Sequence, residues 1–132
     1  MLDFRIDTRS GLAPYAQLVQ QVKQALRLGW LQPGDRLPTV HEVAAGVAIN
    51  PNTVQKAYKE LEQEGLVVGR PGQGTFVQRS LSQTTPAALA VLNRRLQRWI
   101  TAAREAGLDD DGIMDVVRAA MWQANLEESE SA

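Results

Sequence analysis

The apolar residues of this chain change their spacing several times, and each change marks an element. Phe4 and Ile6 alternate with Asp3, Arg5 and Asp7, which predicts a short strand or an extended lead-in. From Pro14 onward, Tyr15, Leu18, Val19, Val22 and Leu26 fall at i, i+3, i+4, i+7 and i+11, one stripe of a helix. Proline suits the first helical position, where no N–H is needed, and Gly29 stands where a C′ residue would close the helix. Pro33-Gly34-Asp35 is turn chemistry. Thr39 and Glu42 have capping-box spacing, so Thr39 opens a helix through Val43, Ala44 and Val47. Asn50-Pro51 pairs an N-cap with proline at N1 and opens the next helix, which Gly65 ends. Its inward stripe is Val54, Ala57, Tyr58 and Leu61, so Asn52, Thr53, Gln55, Lys56 and Lys59 must face outward.

The period then shortens. Leu66-Val67-Val68 and Thr75-Phe76-Val77 are β-type runs on either side of Gly69-Arg70-Pro71-Gly72-Gln73-Gly74, a β-hairpin whose tip is too long to assign a turn type. Residues 80–85 form a polar linker. Pro86 opens a longer helix with Leu89, Leu92, Leu96, Trp99, Ile100 and Ala103 on one side, and Gly107 breaks it. Asp109, Asp110 and Asp111 complement the dipole at the start of a last helix, which carries Ile113, Met114, Val116, Val117, Ala120 and Met121. The acidic, polar residues 127–132 are expected to be a disordered tail. The predicted organisation is a domain over 1–79, a linker over 80–85, a helical segment over 86–126 and that tail. No internal repeat is visible.

Composition narrows the function classes. The chain has 132 residues, enough for one ordinary domain or two small ones, and 44% of them are hydrophobic. It has no cysteine, which excludes disulfides and thiolate metal sites. No apolar run approaches the roughly 18 residues of a membrane span, and the N-terminus lacks a secretory pattern, so the expected location is cytoplasmic, with no membrane partner. The net charge is −1, unusual for a nucleic-acid binder, but it is unevenly spread. Residues 1–80 hold nine Lys/Arg against seven Asp/Glu, a balance of +2; residues 81–132 hold five against eight, a balance of −3.

Three helices with a tight turn between the second and third, followed by a hairpin, outline a winged helix-turn-helix. The second helix of such a motif presents its N-terminal side chains to base edges in the major groove. The helix from Pro51 fits that role, offering Asn52, Thr53, Gln55 and Lys56 with no carboxylate before Glu60. Asn and Gln can pair with adenine edges, and Lys with guanine or phosphate. A polar outward face alone is equally consistent with a solvated helix. The basic, glycine-rich tip at Arg70, Gly72, Gln73 and Gly74 favours DNA, because a purely structural hairpin needs only a short turn.

The blocks Pro33-Gly34-Asp35-Arg36-Leu37-Pro38-Thr39, Glu42-Val43-Ala44, Asn50-Pro51-Asn52-Thr53-Val54, Ala57-Tyr58-Lys59-Glu60-Leu61-Glu62, Glu64-Gly65-Leu66 and Gly72-Gln73-Gly74-Thr75-Phe76-Val77 closely resemble the DNA-binding domain of the GntR family over roughly residues 10–78. The resemblance implies an α+β, mainly α fold: an N-terminal winged helix-turn-helix and then a short two-helix C-terminal dimerisation segment. It also implies a bacterial-type, sequence-specific transcriptional regulator whose partner is double-stranded operator DNA. Arg36 occupies a commonly DNA-facing position, Asn52, Thr53 and Gln55 the recognition-helix contacts, and Gly72, with Arg70 and Gln73, the wing. The full candidate DNA-binding set is Arg36, His41, Asn50, Asn52, Thr53, Gln55, Lys56, Lys59, Arg70, Gly72, Gln73, Gly74 and Thr75. His41 departs from the family's usual arginine and lacks its permanent charge and bidentate fork.

The segment after the wing is too short for the large effector domains of some GntR subfamilies and resembles the YtrA-like subfamily, whose short helical C-terminal segment serves dimerisation. The implied function is a dimeric repressor on a two-fold operator, of transporter or envelope-stress genes. The physics agrees with a homodimer, because two helices cannot bury so wide an apolar arc, with Trp99 and Trp122, against each other alone. Leu92, Leu96, Trp99, Ile100, Ile113, Val117 and Met121 are the expected dimerisation residues. The alternative is a monomer whose helices fold back on the winged domain. A small-molecule effector is possible but unsupported, since residues such as Met114, Met121, Trp99 and Trp122 at helical spacing are more often core. No catalytic set, cofactor or metal site assembles: one histidine has no partners, and Gly72-Gln73-Gly74 joins two strands and so is not a nucleotide loop. An architectural DNA-binding protein and a winged-helix protein adaptor are the other classes the residues allow.

Overall fold

The computed structural model describes residues 2–131. Its elements run α1 (Pro14–Arg27), α2 (Val40–Val47), α3 (Pro51–Gln63), β1 (Val67–Arg70), β2 (Gly74–Val77), α4 (Pro86–Glu105) and α5 (Asp110–Ser131). The chain divides into two compact units, one ending at Thr85 and the other beginning at Pro86. The fold is mainly helical with a two-stranded wing.

In the first unit the predicted stripes meet. Leu18, Val22 and Leu26 of α1, Val54 and Leu61 of α3, and Leu37 and Leu66 from the connections are all buried in one core. Each such side chain contributes about 1.5–3 kcal/mol relative to an exposed one. Helix ends follow the sequence signals. Thr39 caps α2 by accepting from the Glu42 N–H at 3.1 Å, and Asn50 caps α3 by accepting from the Asn52 N–H at 2.8 Å. At the end of α1, Gly29 has φ 74° while the Trp30 and Gly29 N–H groups bond back to Ala25 and Leu26; Gly65 repeats this Schellman arrangement after α3. The tight turn between α2 and α3 uses Ala48 at φ 54°, the one non-glycine residue with positive φ among the described residues.

Two features sharpen the sequence expectations. The lead-in forms no strand, although Leu2, Phe4 and Ile6 pack on the core. Its backbone pairs instead with side-chain amides of α1. Gln21 accepts from the Arg5 N–H at 2.9 Å and donates to the Arg5 carbonyl, while buried Gln17 accepts from Asp7 at 2.8 Å and donates to the Asp7 and Leu12 carbonyls. Two glutamines thus replace a neighbouring strand. The hairpin, in turn, is longer and its loop shorter than the glycine-rich tip implied. Gly69, Arg70 and Gly74 belong to the strands, and Arg70 pairs with Gly74. Only Pro71-Gly72-Gln73 forms the loop, with the Gln73 N–H bonded to the Arg70 carbonyl at 2.9 Å. Proline at i+1 and Gly72 at φ 74° make the type II pattern. A third segment lines up on β2: Arg36 bridges Phe76, and Leu37 donates to the Thr75 carbonyl at 2.8 Å.

The second unit is a helix pair. Gly107 at φ 100° ends α4, and Asp109 caps α5 by accepting from the Gly112 N–H at 2.8 Å. Arg104 bridges Asp110 at 2.9 Å across the connection. Among its described residues only Ala103 and Ile113 are buried. The expected disordered tail is corrected over its described residues, where α5 continues through Ser131; Ala132 lies outside them. Extending an existing helix costs no new nucleus, and Leu126, Glu127 and Glu128 are favourable helix formers despite their acidity.

Candidate nucleic-acid interface

The N-terminal half of α3 is held rigid at its start and open on its outer side. Asn52, Gln55, Lys56 and Lys59 are exposed, and Thr53 is half-buried. Asn50 is exposed as well, but its side-chain oxygen is occupied by the cap, so its amide nitrogen is the group left to offer. Underneath, Tyr58 fixes the helix by donating to the Pro38 carbonyl at 2.6 Å. Burial, reinforced by the nearby Glu42 charge, pushes its phenol well above the ordinary range, so it stays a neutral donor. The helix N-terminus adds partial positive charge on the same side.

Lys56 is not a freely waving cation. Its Nζ lies 3.8 Å from the centroid of the Tyr15 ring, which projects from the start of α1. Lys59, by contrast, makes no ion pair among the described residues.

The wing places a second basic group. Alternation along the strands puts Val67, Val77 and Thr75 on the core-facing side of the hairpin and Val68, Arg70 and Phe76 on the outer side. Arg36, paired with Phe76, joins the outer side. The Arg70 guanidinium stacks over the Phe76 ring at 4.8 Å. The Arg36 guanidinium lies so close over Gly74 that a β-carbon there would sit 2.9 Å from its Nε. Neither arginine is ion-paired among the described residues. Two guanidinium groups without ion pairs therefore share one face of the wing with the Phe76 ring.

The expected DNA-binding residues thus fall into two groups, α3 and the outer wing, with two exceptions. Thr75 lies on the opposite face from Arg70, its carbonyl bonded to Leu37. His41 is exposed at the second position of α2, its side chain without a hydrogen bond or ion pair among the described residues. Sequence reasoning missed Tyr15 and Phe76, both taken as ordinary apolar positions. No sequence signal marks them, because the Lys56 that meets Tyr15 lies on another helix and the Arg70 that meets Phe76 lies across the hairpin. Among the described residues no group of three His or acidic side chains could hold a metal, and no helix is long and apolar enough to cross a membrane.

Comparison with known proteins decides what such a scaffold is. The model of the gntR family of bacterial regulatory proteins matches residues 14–77. The chain is also 39% identical over 115 residues to the transcriptional repressor YtrA of Bacillus subtilis, covering 86% of this chain and 88% of the repressor. The chain belongs to the GntR family. Within the family it is YtrA-like in length as well as in sequence. The solved structure of YtrA from Sulfolobus acidocaldarius, a GntR-family transcription factor, superposes with a TM-score of 0.52 at 32% identity, over 70% of this chain and 95% of that one. The DNA-binding domain of AraR, solved in complex with operator ORX1, matches with a TM-score of 0.51 at 26% identity over 58% of this chain and 95% of the domain. This GntR protein is a DNA-binding transcriptional regulator, and its relatives are regulators, not enzymes.

Proposed function

We propose that this GntR protein is a dimeric repressor that reads a two-fold symmetric operator. Asn52, Thr53 and Gln55, with the Asn50 amide and Lys59, address base edges and phosphates from α3, while Lys56 supplies a cation. Arg36 and Arg70 follow the adjacent backbone from the wing, with Gly72 and Gln73 at its tip entering the minor groove. Thr75 supports this surface from behind, and His41 stands at its edge as a neutral donor. The observation that carries the reading is the pairing of an exposed amide face on the N-terminal half of α3, free of carboxylates before Glu60, with two guanidinium groups without ion pairs on one side of the wing. A solvated helix gives no reason for the second feature. The YtrA repressor and the operator-bound AraR domain support it by similarity.

The C-terminal helices supply the symmetry. Leu92 and Met121 are 54% and 63% exposed, and Leu96 and Trp99 border an apolar groove of about 360 Å³ between α4 and α5. Ile100 and Val117 are half-buried, and Ile113, buried already, acts within the unit and not at its surface. Apolar surface on this scale marks an association site. The partner is a second copy, because two recognition helices roughly 34 Å apart are what a two-fold operator needs. Repression of transporter or envelope-stress genes, which the family resemblance implies, completes the reading.

Selection of bound duplexes from a random DNA pool tests it. A palindromic consensus with half-sites about one turn apart is expected. Binding about a thousandfold or more over random DNA separates a regulator from an architectural protein. An unpatterned pool overturns the proposal.

A further inference from the structure

α1 and α3 lie side by side and point the same way. At one end Tyr15 meets Lys56, with the ammonium 3.8 Å from the ring centroid. Eight residues further along each helix (15 to 23, 56 to 64), Lys23 meets Glu64 at 2.9 Å. This parallel register brings the start of α1 beside the N-terminal half of α3. Tyr15 is only half-buried, and Lys56 is exposed beyond it. A lysine side chain on a helix surface ordinarily samples many rotamers, and ordering it on binding costs free energy. An ammonium over an aromatic face is attracted by the ring quadrupole and keeps its charge.

We infer that Tyr15 is a positioning residue for DNA recognition: its ring holds the Lys56 ammonium in place before the duplex arrives. The inference rests on the reading of α3 as the recognition helix, and it adds a residue from a different helix to the site. The ring, not the hydroxyl, carries the effect. Tyr15 itself touches no DNA.

The test uses the full chain and a duplex selected by the wild-type protein from a random pool. Tyr15→Phe keeps wild-type affinity, and Tyr15→Leu weakens it about two- to fivefold, the range that an exposed cation–π contact supplies. Lys56→Met weakens binding and lowers the salt slope by about one. In the Lys56→Met background, Tyr15→Leu has no further effect. A merely structural tyrosine would weaken binding equally in both backgrounds, and that additivity overturns the inference. A loss in Tyr15→Phe overturns it as well, since it would assign the contact to the hydroxyl. Proton NMR of the free protein gives a readout independent of DNA. The Lys56 ε-methylene is expected upfield in the wild type and in Tyr15→Phe, and at its ordinary position in Tyr15→Leu. An unshifted ε-methylene in the wild type sinks the inference even if DNA binds. A shifted one with no selected duplex leaves the contact standing and rejects the recognition-helix reading instead.

Discussion

Gly74 shows how one missing side chain shapes the wing. Its φ of 123° is strained for any L side chain, and the Arg36 guanidinium fills the space a β-carbon would take. Gly74→Ala is therefore expected to lower stability by about 1 kcal/mol or more through backbone strain. The clash itself is relieved cheaply, because the arginine end can swing away. The larger consequence is expected in DNA affinity, which should fall about tenfold, a loss of roughly 1.4 kcal/mol. Gly72, also at positive φ, has nothing near its missing side chain, so Gly72→Asn should fold normally. Denaturant titration and fluorescence anisotropy separate these outcomes. Equal DNA affinity for Gly74→Ala and wild type would remove Arg36 from the interface.

Tyr58 is the other residue whose chemistry the fold sets. Tyr58→Phe removes the bond to the Pro38 carbonyl and should cost about 1–2 kcal/mol. Burial raises its native pKa above the unfolded value of about 10. The native state therefore holds the proton more tightly than the unfolded state. The associated stability is fully present below about pH 10 and is lost as pH rises beyond it toward the native value. Urea midpoints between pH 8 and 11 should fall for the wild type and fall less for Tyr58→Phe. Parallel curves would assign the pH dependence to other groups.

At the scale of elements, the helix-turn-helix is fixed by its caps and one strained turn. Ala48 sits at φ 54° between α2 and α3, where glycine meets no penalty. Ala48→Gly should raise stability by roughly 0.5 kcal/mol, the strain relief less the added unfolded-state entropy. Asn50→Ala should lower it by about 1 kcal/mol, because the Asn52 N–H loses its acceptor. Thermal unfolding at fixed concentration measures both, and a destabilised Ala48→Gly would show that the turn is held by contacts outweighing its strain. For the lead-in the sequence leaves a strand and an extended segment open, and no strand forms. Alternation of Phe4 and Ile6 correctly put them inward, but strand formation also needs a strand to pair with. Gln17 and Gln21 take that place, and nothing in a polar residue on a helix announces it.

For the whole molecule, the decisive question is how the second unit covers its apolar surface. Leu96→Glu with Met121→Glu puts two charges beside the groove between α4 and α5. The wild type is expected to sediment as a dimer and the double variant as a monomer that loses the rise of Tm with protein concentration that association produces. The variant should keep its helical circular dichroism and bind the selected duplex at least tenfold more weakly, as one half-site does. A wild-type monomer at micromolar concentration would reject the dimer and return the helices to the fold-back arrangement.

The helices, their caps and the wing are legible in the residue order, because those depend on local chemistry: apolar period, capping side chains, proline and glycine placement. It named most of the exposed residues of α3 for the same reason, since a helix with a defined inward stripe has a defined outward one. Which of those residues lie side by side depends on how the elements pack. The parallel register of α1 and α3 sets Tyr15 against Lys56, and the bridge from Arg36 to Phe76 gathers two distant arginines on one face. Strand alternation turned Thr75 to the other side, and α5 ran on through the acidic residues taken for a tail. Contacts between elements far apart in the chain depend on how those elements pack, and no local pattern encodes that packing.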